Sequence, residues 1–156
     1  MALNKSSLAP VFIAETDEGS QISLSDFSGK WIVLYFYPKD NTPGCTQEAC
    51  DFRDNMERIT SVGAVVLGVS PDSAKSHAGF KTKQNLNFSL IADPDKAICN
   101  LYDVIGEKSM YGKKYLGVIR TTYIISPKGE IADVISNVKV KGHVDEIIET
   151  LKVLQK

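Results

Sequence analysis

The chain has 156 residues, 43% apolar and 24% charged, with a formal net charge of −1. That composition suits one compact domain, residues 1–156, with a substantial core, and the near-neutral charge gives no electrostatic case for nucleic acid or an anionic membrane as partner. The longest apolar run, Trp31 to Tyr37, is too short to span a bilayer, and Met1-Ala2-Leu3-Asn4-Lys5 has neither a signal-peptide core nor an Arg-rich transit composition, so a cytoplasmic location is expected.

Val11-Phe12-Ile13-Ala14 and Gln21-Ile22-Ser23-Leu24 flank a Gly-containing turn and predict an N-terminal β-hairpin. Trp31 to Tyr37 is continuous, β-branched and aromatic, as a strand covered on both faces should be. Pro38 stops it. Pro43-Gly44 then signals a turn into a helix running to about Ile59, with Ala49, Phe52, Met56 and Ile59 at helical spacing. Ala64 to Ser70 is a second buried strand, and Pro71-Asp72-Ser73 opens a helix to roughly Gln84. Phe88 to Ile91 is a short strand. Asp93-Pro94 reads as an N-cap and first-turn proline for a helix to about Tyr102. Gly106 to Gly117 is polar, carries three glycines and is expected as loop. Thr121 to Ser126 and Ile131 to Ser136 are strands joined by Pro127-Lys128-Gly129-Glu130. Val144 to Val153 is an amphipathic terminal helix.

This order is α/β, with parallel crossovers first and an antiparallel hairpin late. A thioredoxin-like three-layer sandwich accommodates it: a central mixed sheet flanked by helices. A flavodoxin-like sheet is the alternative, but it requires parallel strands to the end.

Three cysteines in a cytosolic chain point to catalytic, redox or simply buried thiols rather than structural disulfides. Cys45 falls in the first turn of its helix, where free N–H groups and the helix dipole favour a thiolate. Thr42, three residues earlier, can bring a hydroxyl near the sulfur. The bland alternative is a buried small hydrophobe. Cys50 lies five residues on. In an intact helix that means about 500° of rotation and about 7.5 Å of rise, placing the two Cα atoms roughly 8.6 Å apart. A disulfide needs no more than about 6.8 Å. A Cys-x-x-Cys pair comes out at about 5 Å and bridges in place. The spacing therefore disfavours a rigid thiol–disulfide exchanger. It suits a cycle in which Cys45 reacts, the helix unwinds and Cys50 attacks. Cys50 as a core residue of the inner helix face remains open.

An exposed reactive thiol is oxidised by peroxide to sulfenic acid, which condenses with a second thiol. Cleaving a peroxide also calls for a polar group to orient it and positive charge on the developing oxyanion. Thr42 is a candidate for the first and Arg120 for the second, with Glu48, one helical turn after Cys45, to hold the arginine. Arg120 at a solvated strand end is the competing reading.

Pro38-x-x-x-Thr42-x-x-Cys45 resembles the peroxiredoxin active-site signature. Thr42-Pro43-Gly44-Cys45-Thr46 with Cys50 is similar to the bacterioferritin-comigratory protein, or peroxiredoxin Q, subfamily, and Arg120 matches that family's active-site arginine. The resemblance implies a thioredoxin-like fold and a thiol peroxidase acting on hydrogen peroxide and organic hydroperoxides. Cys45 would be the peroxidatic cysteine and Cys50 the resolving one, closing a disulfide within one chain. Pro38 would shield the pocket, Thr42 bind the peroxide and Arg120 stabilise thiolate and transition state. It implies thioredoxin or a similar thiol as reductant, no metal or organic cofactor, and a monomer, although dimers occur in the subfamily.

Cys99 reads as a packed helix cysteine, with a backup resolving role as alternative. His77 and His143 lack ligand spacing and are expected at the surface or in loops. Trp31, Tyr35 and Phe36 read as core, Tyr37 as a residue that lines the pocket, and Lys108, Lys113 and Lys114 as solvated. Two other functions share parts of the pattern. A disulfide reductase lacks its Cys-x-x-Cys, whereas a redox sensor or holdase would use the same cysteine switch.

Overall fold

In the computed structural model, which describes residues 3–156, the six-residue strand β3 (Trp31–Phe36) is the centre of the molecule. The reading of the N-terminal pentapeptide includes residues 1 and 2, which lie outside the described residues. β3 pairs in parallel with β4 (Ala64–Ser70), which pairs in parallel with β5 (Ser89–Ala92). Its other edge pairs antiparallel with β8 (Thr121–Ile125), and β8 with β9 (Ile131–Ile135). The sheet is mixed, with order β5-β4-β3-β8-β9.

Alternate residues of β3 point to opposite faces, as the strand repeat of two requires. Val33 and Tyr35 pack, with Tyr37 beyond the strand end, against α1 (Pro43–Asp54), α2 (Met56–Ser61), α3 (Ala74–Gln84) and α5 (His143–Leu154) through Ala49, Phe52, Ile59, Phe80, Ile147 and Leu151. Ile32, Leu34 and Phe36 pack on the other face against Phe12, Ala14 and α4 (Ala97–Leu101). Both faces are covered, which is why β3 and β4 read as continuous apolar runs. The hairpin of β1 (Ile13–Glu15) and β2 (Gln21–Ser23) turns through Gly19, whose φ of +78° suits glycine. Among the described residues no helix is long and apolar enough to cross a membrane.

Four expectations change. The helix expected to run unbroken to Ile59 divides at Asn55, whose side-chain amide donates to the Asp51 carbonyl (2.8 Å) and competes with the backbone ladder. Residues 106–117 are not loop. β6 (Ile105–Met110) and β7 (Lys113–Val118) form a hairpin turning on Tyr111 and Gly112, both at positive φ, as a tight hairpin turn demands. Helix α4 starts at Ala97 rather than at Pro94, and Asp93 caps it from further back by accepting from the Ile98 and Cys99 amides at 2.9 and 2.8 Å. His77 and His143 are buried rather than superficial, because each ring finds polar partners inside the fold.

Candidate active site

The antiparallel register pairs Phe36, the last residue of β3, with Thr121, the first of β8. The turn leaving β3 and the residue preceding β8 therefore meet at one end of the sheet. The first leads into α1, which carries Cys45, and the second is Arg120.

Thr42 is the N-cap of α1, with extended backbone (φ −85°, ψ 152°), and its carbonyl accepts the Thr46 amide at 2.8 Å. Pro43 takes the first helical position, where its missing N–H costs nothing. Cys45 is then the third residue of α1, among the orphan amides of the first turn, and is buried. Arg120 Nη2 donates to its sulfur at 3.3 Å, and Nη1 donates to Glu48 Oε1 at 2.6 Å. The Arg120 side chain is 17% exposed and Glu48 is fully enclosed. A Cβ at position 44 would stand 3.2 Å from Arg120 Nη2, so glycine there makes room for the guanidinium.

The arginine backbone is held as well. Ile119 N–H donates to Val104 (2.7 Å), and the Arg120 carbonyl accepts from Val138 (2.9 Å). Burial works against the Arg120 charge, but the Glu48 carboxylate and the Cys45 sulfur outweigh it and raise its pKa. Glu48 is pushed up to about 7 by burial, with Arg120 pulling the other way. Its second oxygen, Oε2, and the nearby Tyr35 hydroxyl are buried without hydrogen-bond partners. Burial, then Glu48, raise the Tyr35 pKa and keep it a neutral phenol.

The Thr42 hydroxyl donates to the Lys39 carbonyl at 2.8 Å. With its proton engaged there, the oxygen keeps its lone pairs as acceptors. Pro38 lies half-buried just past the end of β3. Tyr37, expected to line the pocket, is instead buried, and its hydroxyl donates to Asp40 Oδ1 at 2.7 Å. Tyr35 and Phe36 are core, and Trp31 is partly buried against it.

Cys50 is half-buried on α1 and its S–H donates to Gln84 Oε1 of α3 at 3.6 Å. All three thiols are free. Cys45 and Cys50 both lie inside the intact α1, with separate partners. Cys99 is packed in the core, and burial followed by Asp93 pushes its thiol pKa far up, so it is neither exposed nor ionised. Lys113 is exposed, Lys114 pairs with Glu107 at 3.5 Å, and Lys108 donates to the Val118 carbonyl at 3.1 Å. Sequence reasoning gave Asp40 no role and placed His77 at the surface or in a loop, whereas both sit buried beneath the turn. A carboxylate amid a short connection between apolar strand and helix was the available signal.

A thiol in a helix first turn thus carries a guanidinium on its sulfur, with the N-cap hydroxyl of Thr42 three residues before it. The AhpC/TSA family model matches residues 6–134. The chain is 48% identical over 144 residues to the peroxiredoxin Bcp of Bacillus subtilis, covering 92% of each. It is similar to the solved peroxiredoxin Q of Xanthomonas campestris, with a TM-score of 0.89, 45% identity, and 93% and 92% of the two chains covered. A second Xanthomonas campestris structure, of a bacterioferritin comigratory protein described for its alkyl peroxide reduction activity, matches with a TM-score of 0.89 at 44% identity over 93% of this chain and 92% of that one.

Proposed function

Because the chain belongs to the AhpC/TSA family, in its peroxiredoxin Bcp/Q branch, we propose that it is a thiol peroxidase that reduces hydrogen peroxide and organic hydroperoxides through Cys45. The observation that carries the reading is the Arg120 guanidinium, 3.3 Å from the Cys45 sulfur and anchored by buried Glu48. The Cys45 thiolate attacks the terminal peroxide oxygen. An S–O bond forms, the O–O bond breaks, and the leaving hydroxide or alkoxide takes up a proton. Thr42 accepts from the peroxide O–H, Arg120 stabilises thiolate and developing oxyanion, and Pro38 shields the pocket. The product is sulfenic acid on Cys45.

Cys50 then resolves it. Its sulfur attacks the Cys45 sulfur, the S–S bond forms, and the oxygen leaves as water. The two positions in one helix require α1 to open first, since roughly 8.6 Å between Cα atoms exceeds disulfide reach. Thioredoxin, or a dithiol protein like it, returns both cysteines to thiols. The whole chain acts as one domain, as a cytoplasmic monomer.

The test is peroxide consumption coupled to a thioredoxin system. Wild-type protein is expected to turn over, and Cys45→Ser to be inactive. Undiminished turnover by Cys45→Ser overturns the reading. Stoichiometric oxidation without recycling would favour a redox sensor or holdase instead.

A further inference from the structure

Beneath the turn that leaves β3 lies a buried polar cluster that the peroxidase steps above do not use. Asp40 and His77 are among the most enclosed charged-type side chains of the molecule, 1% and 0% exposed. Asp40 Oδ1 accepts from the Tyr37 hydroxyl at 2.7 Å. Asp40 Oδ2 accepts from Ser76 Oγ at 2.8 Å and lies 2.8 Å from His77 Nδ1. The Asp40 amide donates to Asp72 Oδ2 at 2.8 Å, and the same oxygen accepts from Ser70 Oγ at 2.6 Å.

The partners define the protons. His77 Nε2 lies 2.9 Å from the Ile91 carbonyl, which can only accept, so Nε2 carries hydrogen. Nδ1 then faces a carboxylate oxygen too closely for two lone pairs, so one proton lies between His77 and Asp40. Asp40, Asp72 and His77 are metal-ligand residue types with ligand atoms within 4.8 Å of one another. However, both Asp40 oxygens and both His77 nitrogens are already engaged by protein groups. The cluster is built to hold chain to chain.

What it holds is the turn of the candidate site. The Asp72 carboxylate, which also accepts from Ser70, ties the Asp40 backbone to the end of β4, and the Asp40 carboxylate ties the turn to the start of α3 through Ser76 and His77. Through His77 it also reaches β5 at Ile91. Within the turn, Asn41 takes a left-handed conformation (φ +65°) and Thr42 hydrogen-bonds back to Lys39. The turn runs directly into the first hydrogen bond of α1, from the Thr46 amide to the Thr42 carbonyl, two residues beyond Asp40.

We propose that Asp40 and His77 are positioning residues of the peroxidase, clamping the turn that carries Pro38 and Thr42 to α3 so that the peroxide-orienting side of the site is held in place for the attack on peroxide. The inference rests on the peroxidase reading above. Fully satisfied buried networks of this kind rigidify the segments they join.

The experiment uses the full chain in a Cys50→Ser background, which isolates the first step. Rapid-quench loss of the Cys45 thiol with hydrogen peroxide is compared with alkylation of Cys45 by iodoacetamide, which needs neither Thr42 nor Pro38. Asp40→Ala is expected to lower the peroxide rate constant ~10- to 100-fold, as sub-ångström misplacement of orienting groups does, with alkylation changed by less than about twofold. Asp40→Asn keeps an acceptor for Tyr37 and sets an amide N–H opposite His77 Nδ1, and is expected to recover most of the rate. His77→Gln and Ser76→Ala each remove one donor and are expected to give smaller losses of the same selective kind; they carry the test if Asp40→Ala does not fold. Unchanged peroxide rates in the folded variants, or peroxide and alkylation rates falling together, overturn the clamp. If the Cys50→Ser parent itself does not react with peroxide, the peroxidase reading falls and the clamp with it.

Discussion

Arg120 donates to Glu48 and to Cys45, so a carboxyl and a thiol share one partly buried cation. In the proposed peroxide step, removing that cation would deprive the developing oxyanion of the guanidinium donors. Arg120→Ala is therefore expected to slow sulfenic acid formation by ~100- to 1,000-fold, read by single-turnover peroxide kinetics; a loss of less than about threefold would remove Arg120 from the chemistry. Glu48 titrates at about 7 in the folded protein against an ordinary 4.5. The folded state thus holds its proton more tightly than the unfolded chain does. The stability this gives is complete below about pH 4.5 and is lost as pH rises through about 7, some ~3 kcal/mol in all. Urea denaturation at pH ~5 and ~8 is expected to show that loss in wild-type protein and not in Glu48→Gln. Equal pH dependence in both proteins would contradict the assignment. At this scale the sequence revealed Glu48 and Arg120 as a pair from chemical type and helical spacing, but not the burial of His77. A lone histidine carries no periodic signal, and its partners Asp40 and Ile91 lie 37 and 14 residues away.

Elements were legible where one periodicity dominated. β3, β4 and α5 read correctly because buried strands are apolar throughout and a helix on a sheet shows an apolar stripe. The β6–β7 hairpin was not legible. Its residues are mostly exposed, rich in lysine and glycine, and paired only with each other, so no core face imposes alternation. The break at Asn55 was hidden because apolar spacing continues across it into α2. Gly44 offers a test at this scale. Its φ is not in the left-handed region, so alanine there suits α1, yet the new Cβ would crowd Arg120 Nη2 at 3.2 Å. Gly44→Ala is expected to leave the melting temperature unchanged or raised while cutting the peroxide rate constant ~5-fold. A fall in melting temperature with an unchanged rate would show that Gly44 serves the backbone and not the arginine.

The whole molecule converts chain order into a site. Cys45 and Arg120 are 75 residues apart and meet because β8 returns antiparallel beside β3. The late hairpin of the sheet was readable from turn chemistry, but which edge of β3 it joins was not, since local patterns carry no information on strand order. Residue chemistry made Arg120 a candidate for the Cys45 site against the competing reading of a solvated strand end, and the resemblance to a family favoured the first. One sheet with apolar clusters on both faces leads to the expectation of a single unfolding unit. Calorimetry of the reduced chain should show one transition, with a heat-capacity increment of about 2 kcal/mol/K for a chain of this length. Two resolved transitions would divide it.

The proposed cycle requires α1 to open between the two thiol steps, because Cys45 and Cys50 share an intact helix while reduced. Hydrogen exchange across residues 43–54, before and after one equivalent of peroxide, measures this directly. Strong protection is expected in the reduced protein and in peroxide-treated Cys50→Ser, and a large loss of protection in oxidised wild-type protein. A Cys45–Cys50 disulfide formed with α1 still fully protected would contradict it.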